Sequence, residues 1–111
     1  MADPKYRVVW AEAAARDLEE IILFVASDSP LAAERLLHKL ARKAQSLGTS
    51  PLRGRIVPEL LHFGIRRWRE LVVRPYRLVY RVAGRMVVVL AVFDGRRDLQ
   101  EILLERLVRE E

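Results

Sequence analysis

The stretch Arg69–Asp98, RELVVRPYRLVYRVAGRMVVVLAVFDGRRD, decides the fold. Tyr76, Leu78, Tyr80 and Val82 alternate with Arg77, Val79 and Arg81, the period of a strand with one apolar face. Ala83-Gly84 suits a tight hairpin turn, because Gly84 can take positive φ. Met86–Phe93 is apolar on both faces, which predicts a strand at the centre of a sheet. Ile65–Val73 predicts a further strand, broken near Arg74-Pro75. Three strands joined by such short breaks predict antiparallel pairing.

Toward the N-terminus, Lys5–Trp10 alternates with Tyr6, Val8 and Trp10 on one face, a short half-buried strand. Ala11, Ala14, Ala15, Leu18, Ile21, Ile22 and Val25 then follow helical spacing, predicting a helix to about Ala26. Ser29 caps a second helix with Pro30 in its first turn. Its stripe is Ala33, Leu36, Leu37, Leu40, Ala44 and Leu47, and Gly48 is expected to supply a left-handed stop. The short loop between the helices predicts an antiparallel hairpin. Thr49–Gly64, with two prolines and two glycines, reads as an irregular connector containing one extended piece.

Downstream, Asp98 and Glu101 form a capping box for a helix over residues 99–109, with Leu99, Ile102, Leu103 and Leu107 on its apolar stripe. The order is therefore β-α-α-β-β-β-α. This is an α+β fold with a helical hairpin on one face of a small, mainly antiparallel sheet, in a single domain spanning residues 1–111.

With 51% apolar residues in 111, a packed core is expected rather than a disordered chain. No run of about 18 apolar residues predicts a membrane span, and MADPKYRVVW lacks the apolar core of an export signal. The absence of cysteine excludes disulfides, thiol catalysis and thiolate metal sites. A cytoplasmic protein without cofactor or metal is expected. His38 and His62 stand apart in sequence, GTSPLRG lacks the spacing and lysine of a phosphate-binding loop, and the serines fall in caps and loops.

Charge is distributed unevenly. Residues 1–52 hold seven bases and seven acids, residues 53–97 hold eleven arginines against three acids, and residues 98–111 hold five acids and two arginines. A localised basic surface attracts phosphates or an acidic protein partner. Arg77 and Arg81 lie on the strand face opposite Tyr76 and Tyr80, so they are expected to look away from a core covered by the helices. Arg77 is expected to approach Arg96 or Arg97, an arrangement of guanidinium groups suited to a phosphodiester. The competing reading is an exposed sheet face kept soluble by arginine.

RGRIVPEL (Arg53–Leu60), PYRLVYRV (Pro75–Val82) and GRRD (Gly95–Asp98), together with the preceding strand and helical hairpin, resemble the RelE/ParE superfamily of bacterial type II toxin–antitoxin toxins. The resemblance covers nearly the whole chain and implies a β-α-α unit followed by an antiparallel meander. It implies one of two activities: ribosome-dependent cleavage of mRNA on the RelE side, or inhibition of DNA gyrase without nuclease chemistry on the ParE side. Arg77 and Arg97 match the arginines of the nuclease branch. The family's lysine positions fall at about Trp68 and Glu70, and its terminal aromatic falls at about Leu103. Arginine stabilises a phosphorane but is too basic for ordinary proton transfer, so the acid–base half of a nuclease is missing.

The ParE side is therefore favoured: a toxin that binds a cellular target, DNA gyrase, with no firm catalytic residue. Arg67, Arg69, Arg77, Arg81, Arg96 and Arg97 are the expected phosphate- or target-binding set. A nuclease acting on mRNA at the ribosome, with Arg77, Arg97 and Glu70 as its groups, is the alternative, and a simple nucleic-acid-binding domain is a third. The resemblance also implies a cognate antitoxin, expected to be small, acidic and partly disordered, laying a helix or strand over the hairpin and basic sheet in a hetero-oligomer.

Overall fold

A computed structural model describes residues 5–97 and 99–110, with residues 107–110 described by backbone alone. The chain runs β1 (Arg7–Trp10), α1 (Glu12–Ala26), α2 (Pro30–Gln45), β2 (Arg55–Ile56), α3 (Pro58–Leu61), β3 (Arg69–Val73), β4 (Tyr76–Ala83), β5 (Met86–Asp94) and α4 (Leu99–Glu110). The strands lie in the order β1-β5-β4-β3-β2. Only β1 and β5 pair in parallel; the other neighbours are antiparallel.

The helical hairpin covers one sheet face as its apolar spacing predicts. Ala14, Leu40, Ala44 and Leu47 pack against Leu71, Val73, Leu78, Tyr80, Val87, Val89 and Val92. Ser29 Oγ accepts the Ala32 N–H and starts α2, with Pro30 at its first position. Gly48 does not provide the expected left-handed stop: positive φ among the described glycines belongs to Gly64 and Gly84. Instead Ser46–Gly48 tightens into a 3₁₀ turn. The Gly48 carbonyl then accepts the N–H groups of Lys5 and Tyr6, each at 3.0 Å, which seats the start of β1.

The connector is more ordered than its composition suggests. It yields β2 and the short α3, which begins at Pro58. Gly64 at φ 76° turns the chain out of α3, and Ile65 N–H donates to Leu60 O. That bond holds Ile65 in the helix terminus, so β3 begins at Arg69 rather than at Ile65. The turn between β4 and β5 is Gly84-Arg85, with Ala83 opposite Met86 and Gly84 at φ 61°.

The second sheet face is also covered, against the expectation of an exposed arginine surface. Val57, Leu60 and Trp68 pack there with Val79, Leu90, Ala91 and Phe93, and Leu99 and Leu103 of α4 complete the layer. Burying each such Leu side chain contributes roughly 1.5–3 kcal/mol, enough to hold a helix too short to be stable alone. Asp98, expected to cap this helix, and the Leu107 side chain lie outside the described residues.

A polar clasp reinforces α4. β1 ends at Trp10 opposite Val89, leaving the edge of β5 open beyond that point. Asp17 of α1 accepts the Val92 N–H at 3.1 Å. Arg106 of α4 donates to Leu90 O at 2.9 Å and to Asp17 Oδ1 at 2.6 Å. One ion pair thus satisfies two edge groups of β5 and ties α1 to α4.

Candidate functional site

Arg77 lies on β4, facing the second apolar layer, and is only 8% exposed. The covering α3 and α4 explain why it does not look out into solvent. Burying a guanidinium requires charge partners, and two carboxylates supply them. Its Nε donates to Glu70 Oε1 at 2.8 Å. Its two terminal nitrogens donate to the two oxygens of Glu59, at 2.8 and 2.9 Å, in a bidentate fork. Phe93 lies 5.9 Å from the guanidinium carbon. Hydrogen bonding from Arg77 holds the Glu59 carboxyl below its ordinary range, and Glu59 in turn raises the Arg77 pKa.

Glu70 is 1% exposed, and its second oxygen accepts Arg55 Nε at 2.6 Å. Both oxygens of the carboxylate that a nuclease reading would use as a base are therefore engaged by arginines. The pairing across β3 and β4 places Glu70 opposite Val79, and β2 brings Arg55 opposite Glu70 from the other side.

The loop carrying Arg55 and Glu59 is fixed by Tyr80. The Tyr80 hydroxyl accepts Gly54 N–H at 2.9 Å and donates to Pro51 O at 2.8 Å. A Cβ on Gly54 would stand 2.5 Å from Glu70 O and 2.7 Å from the Tyr80 hydroxyl, so the close approach requires glycine. Burial pushes the Tyr80 pKa up, and the phenol stays neutral and able to donate. Arg69 adds a bond to Gly54 O at 2.8 Å and another to Leu52 O at 3.3 Å. Gly95 lets the end of β5 cross Arg77, since a Cβ there would lie 2.9 Å from Arg77 Cδ and 3.2 Å from Pro75 O.

Outside this buried group, Glu59, His62, Arg97, Leu99 and Gln100 line a cavity of about 410 Å³. Arg97 is exposed there, and Glu59, which lines the cavity, is paired with Arg77. Arg96 turns aside to Asp94, with Nε at 2.9 Å from Oδ1, and holds that carboxyl at about 2. Arg67 is exposed in the segment before β3. Arg69 is used by the loop, and the Arg81 guanidinium carbon lies 6.0 Å from the Trp68 ring. The six arginines picked from the sequence thus do not form one patch. The structure brings Arg77 and Glu70 together and leaves Arg97 beside two residues not selected from sequence, Glu59 and His62. The spacing of Glu59 and His62, i and i+3 at the start of a Pro-initiated turn, was the available signal.

RGRIVPEL supplies Gly54, Arg55 and Glu59 to this arrangement, PYRLVYRV supplies Arg77 and Tyr80, and GRRD supplies Gly95 and Arg97. Residues 8–99 match the model of the ParE toxin of the type II toxin–antitoxin system parDE. The chain belongs to this family. This toxin is 38% identical over 92 residues to Toxin RelE2 of Caulobacter vibrioides, a match covering 82% of this chain and 97% of that protein. Its fold is similar to that in the chromosomal ParDE toxin–antitoxin system from P. aeruginosa, with a TM-score of 0.67 and 20% identity over 81% of this chain and 96% of the other. It is also similar to a chain of the toxin–antitoxin complex RelBE2 from Mycobacterium tuberculosis, with a TM-score of 0.59 and 26% identity over 85% and 94% of the two chains. The toxin is thus a type II toxin–antitoxin toxin of the RelE/ParE superfamily, as its three motifs implied.

Proposed function

We propose that this toxin stops growth by binding a protein target in the cytoplasm, DNA gyrase, without covalent chemistry, and that a cognate small acidic antitoxin neutralises it. One observation carries the choice of target class. The guanidinium that a nuclease would need on the scissile phosphate is buried and fully occupied by Glu59 and Glu70. Releasing it would leave two carboxylates unpaired, one of them in the interior, at a cost of several kcal/mol. The positions where the nuclease branch carries lysines hold Trp68 and Glu70, both buried. No group on β3 is then available to activate a 2′-hydroxyl.

A second reading draws on the outer cavity. His62 and Arg97 face it together, and histidine is a proton-transfer group near neutral pH. Under that reading Arg97 binds the phosphate of mRNA on the ribosome and His62 moves the proton. Expression without the antitoxin, with DNA, RNA and protein synthesis followed separately, separates the two. The gyrase reading predicts that DNA synthesis falls first. An immediate loss of protein synthesis with codon-phased mRNA cuts would replace it with the nuclease reading.

A further inference from the structure

The charges of residues 1–52 balance in number but not in space. α1 carries Glu12, Asp17, Glu19 and Glu20 against Arg16 alone, whereas α2 carries Arg35, Lys39, Arg42 and Lys43 against Glu34 alone. α2 buries Ala33, Leu40 and Ala44 against the sheet. At about 3.6 residues per turn, Arg35, His38 and Arg42 then fall on the side opposite that core, with Lys39 and Lys43 beside them. Arg35, His38, Lys39 and Arg42 are exposed, and Lys43 is half-buried. Arg35, His38, Ala41 and Arg42 line an open cleft of about 440 Å³. No ion pair among the described residues involves Arg35, Lys39, Arg42 or Lys43.

The residue types on this face select the kind of partner. The centre of a protein interface is rich in aromatic side chains and poor in lysine. α2 has no Phe, Tyr or Trp, and it holds two of the three lysines of the chain. Single strands are held largely by stacking their bases on aromatic rings, which this face equally lacks. A duplex needs no such ring, because it presents about one phosphate charge per 1.7 Å of its axis. The cations lie between Arg35 and Lys43, a helix length of about 12 Å, so several phosphates fall within their reach. Glu12, Glu19 and Glu20 are exposed on α1 and repel the same phosphates, which confines a duplex to the α2 side.

We propose that the outer face of α2 is a sequence-independent binding site for the phosphate backbone of duplex DNA, with Arg35, Lys39, Arg42 and Lys43 as its contacts. Lysine meets a phosphate as a point charge and arginine as a fork, and neither needs to read a base. The face is separate from the buried Arg77 group and from the cavity that holds His62 and Arg97. The inference rests on the gyrase reading only for where such DNA is met, since the binding is measured with DNA alone.

The test uses the full chain and a short fluorescein-labelled DNA duplex, with a single strand and a polyglutamate peptide as comparison probes. Anisotropy should show the duplex bound more tightly than either, and equally for two unrelated sequences. The logarithm of the affinity should fall with that of the salt concentration at a slope of about −3 to −4, as four phosphate contacts require. Arg35→Ala with Arg42→Ala should weaken binding about tenfold or more at low salt and reduce the slope by about 2. Arg66→Ala with Arg85→Ala removes the same charge from exposed positions outside α2 and should leave the slope unchanged. Without any variant, the duplex should protect Lys39 and Lys43 from acetylation more strongly than Lys5. Equal loss in the two double variants, equal or no protection of the three lysines, or tighter binding of the single strand or of polyglutamate would overturn the proposal. None of these outcomes bears on gyrase inhibition, which is measured separately by supercoiling.

Discussion

Arg77 and Glu59 form a bidentate ion pair, at 2.8 and 2.9 Å, between the second residue of β4 and the first turn of α3. Glu70 closes the group from the interior side. This pairing joins the connector to the sheet, and it determines what Arg77 is free to do.

Removing Arg77 should destabilise the fold rather than only silence a surface. Arg77→Met leaves the Glu70 carboxylate, 1% exposed, with Arg55 as its remaining partner. A loss of about 3 kcal/mol in urea unfolding is expected, in the range for breaking a buried pair on one side. Arg67→Ala, at an exposed position, should change stability by less than about 0.5 kcal/mol. The double change Arg77→Met with Glu70→Gln should recover part of the loss, because no unpaired buried charge then remains.

The pairing also sets a pH dependence. The Glu59 pKa is lowered from 4.5, chiefly by its hydrogen bonds with Arg77. A carboxyl whose folded pKa is depressed contributes stability that is fully present above its unfolded pKa and is lost as pH falls through the folded value. The urea midpoint should therefore decline as pH drops below 4.5. Glu59→Gln should flatten that part of the decline. Because Glu59 is partly exposed, the effect is smaller than for a buried pair. An unchanged acid limb in Glu59→Gln would show that the pair contributes nothing there.

Gly54 and Tyr80 should behave as one unit. Gly54→Ala places a methyl 2.5 Å from a backbone carbonyl that cannot yield, and should cost about 1–3 kcal/mol. Tyr80→Phe leaves the buried Gly54 N–H without its acceptor and should cost about the same. The two losses should fall short of additive in the double variant, since each already loosens the same loop. Thermal or urea unfolding of the three variants measures this.

The clasp between Asp17 and Arg106 predicts where the fold opens first when it is cut. Arg106→Ala frees Leu90 O and one Asp17 oxygen. Hydrogen exchange should quicken in α4 and at Val92 before it quickens in β4. The loss expected in global stability is about 1 kcal/mol. Faster exchange spread evenly over the sheet would show that the clasp does not hold α4 locally.

Periodicity made the hairpin, the meander and α4 legible, because each buries a regular apolar stripe. Arg77 was legible as a position but not as an environment. Its strand alternation placed it opposite Tyr80, yet only the packing of Val57, Leu60, Leu99 and Leu103 shows that this face is also covered. The connector hid α3 because a Pro-initiated turn of four residues has too short a pattern to read. Glu59 and His62 were missed for the same reason, since only that turn sets them beside Arg77 and Arg97. Gly48 misled because a glycine after a helix permits the left-handed stop without requiring it.

The most direct test of the central claim is the supercoiling of relaxed plasmid by purified gyrase as this toxin is titrated in. Supercoiling should fall to completion at excess toxin and recover when the cognate antitoxin is added. Undiminished supercoiling, by a preparation that still arrests growth when expressed, would contradict the account.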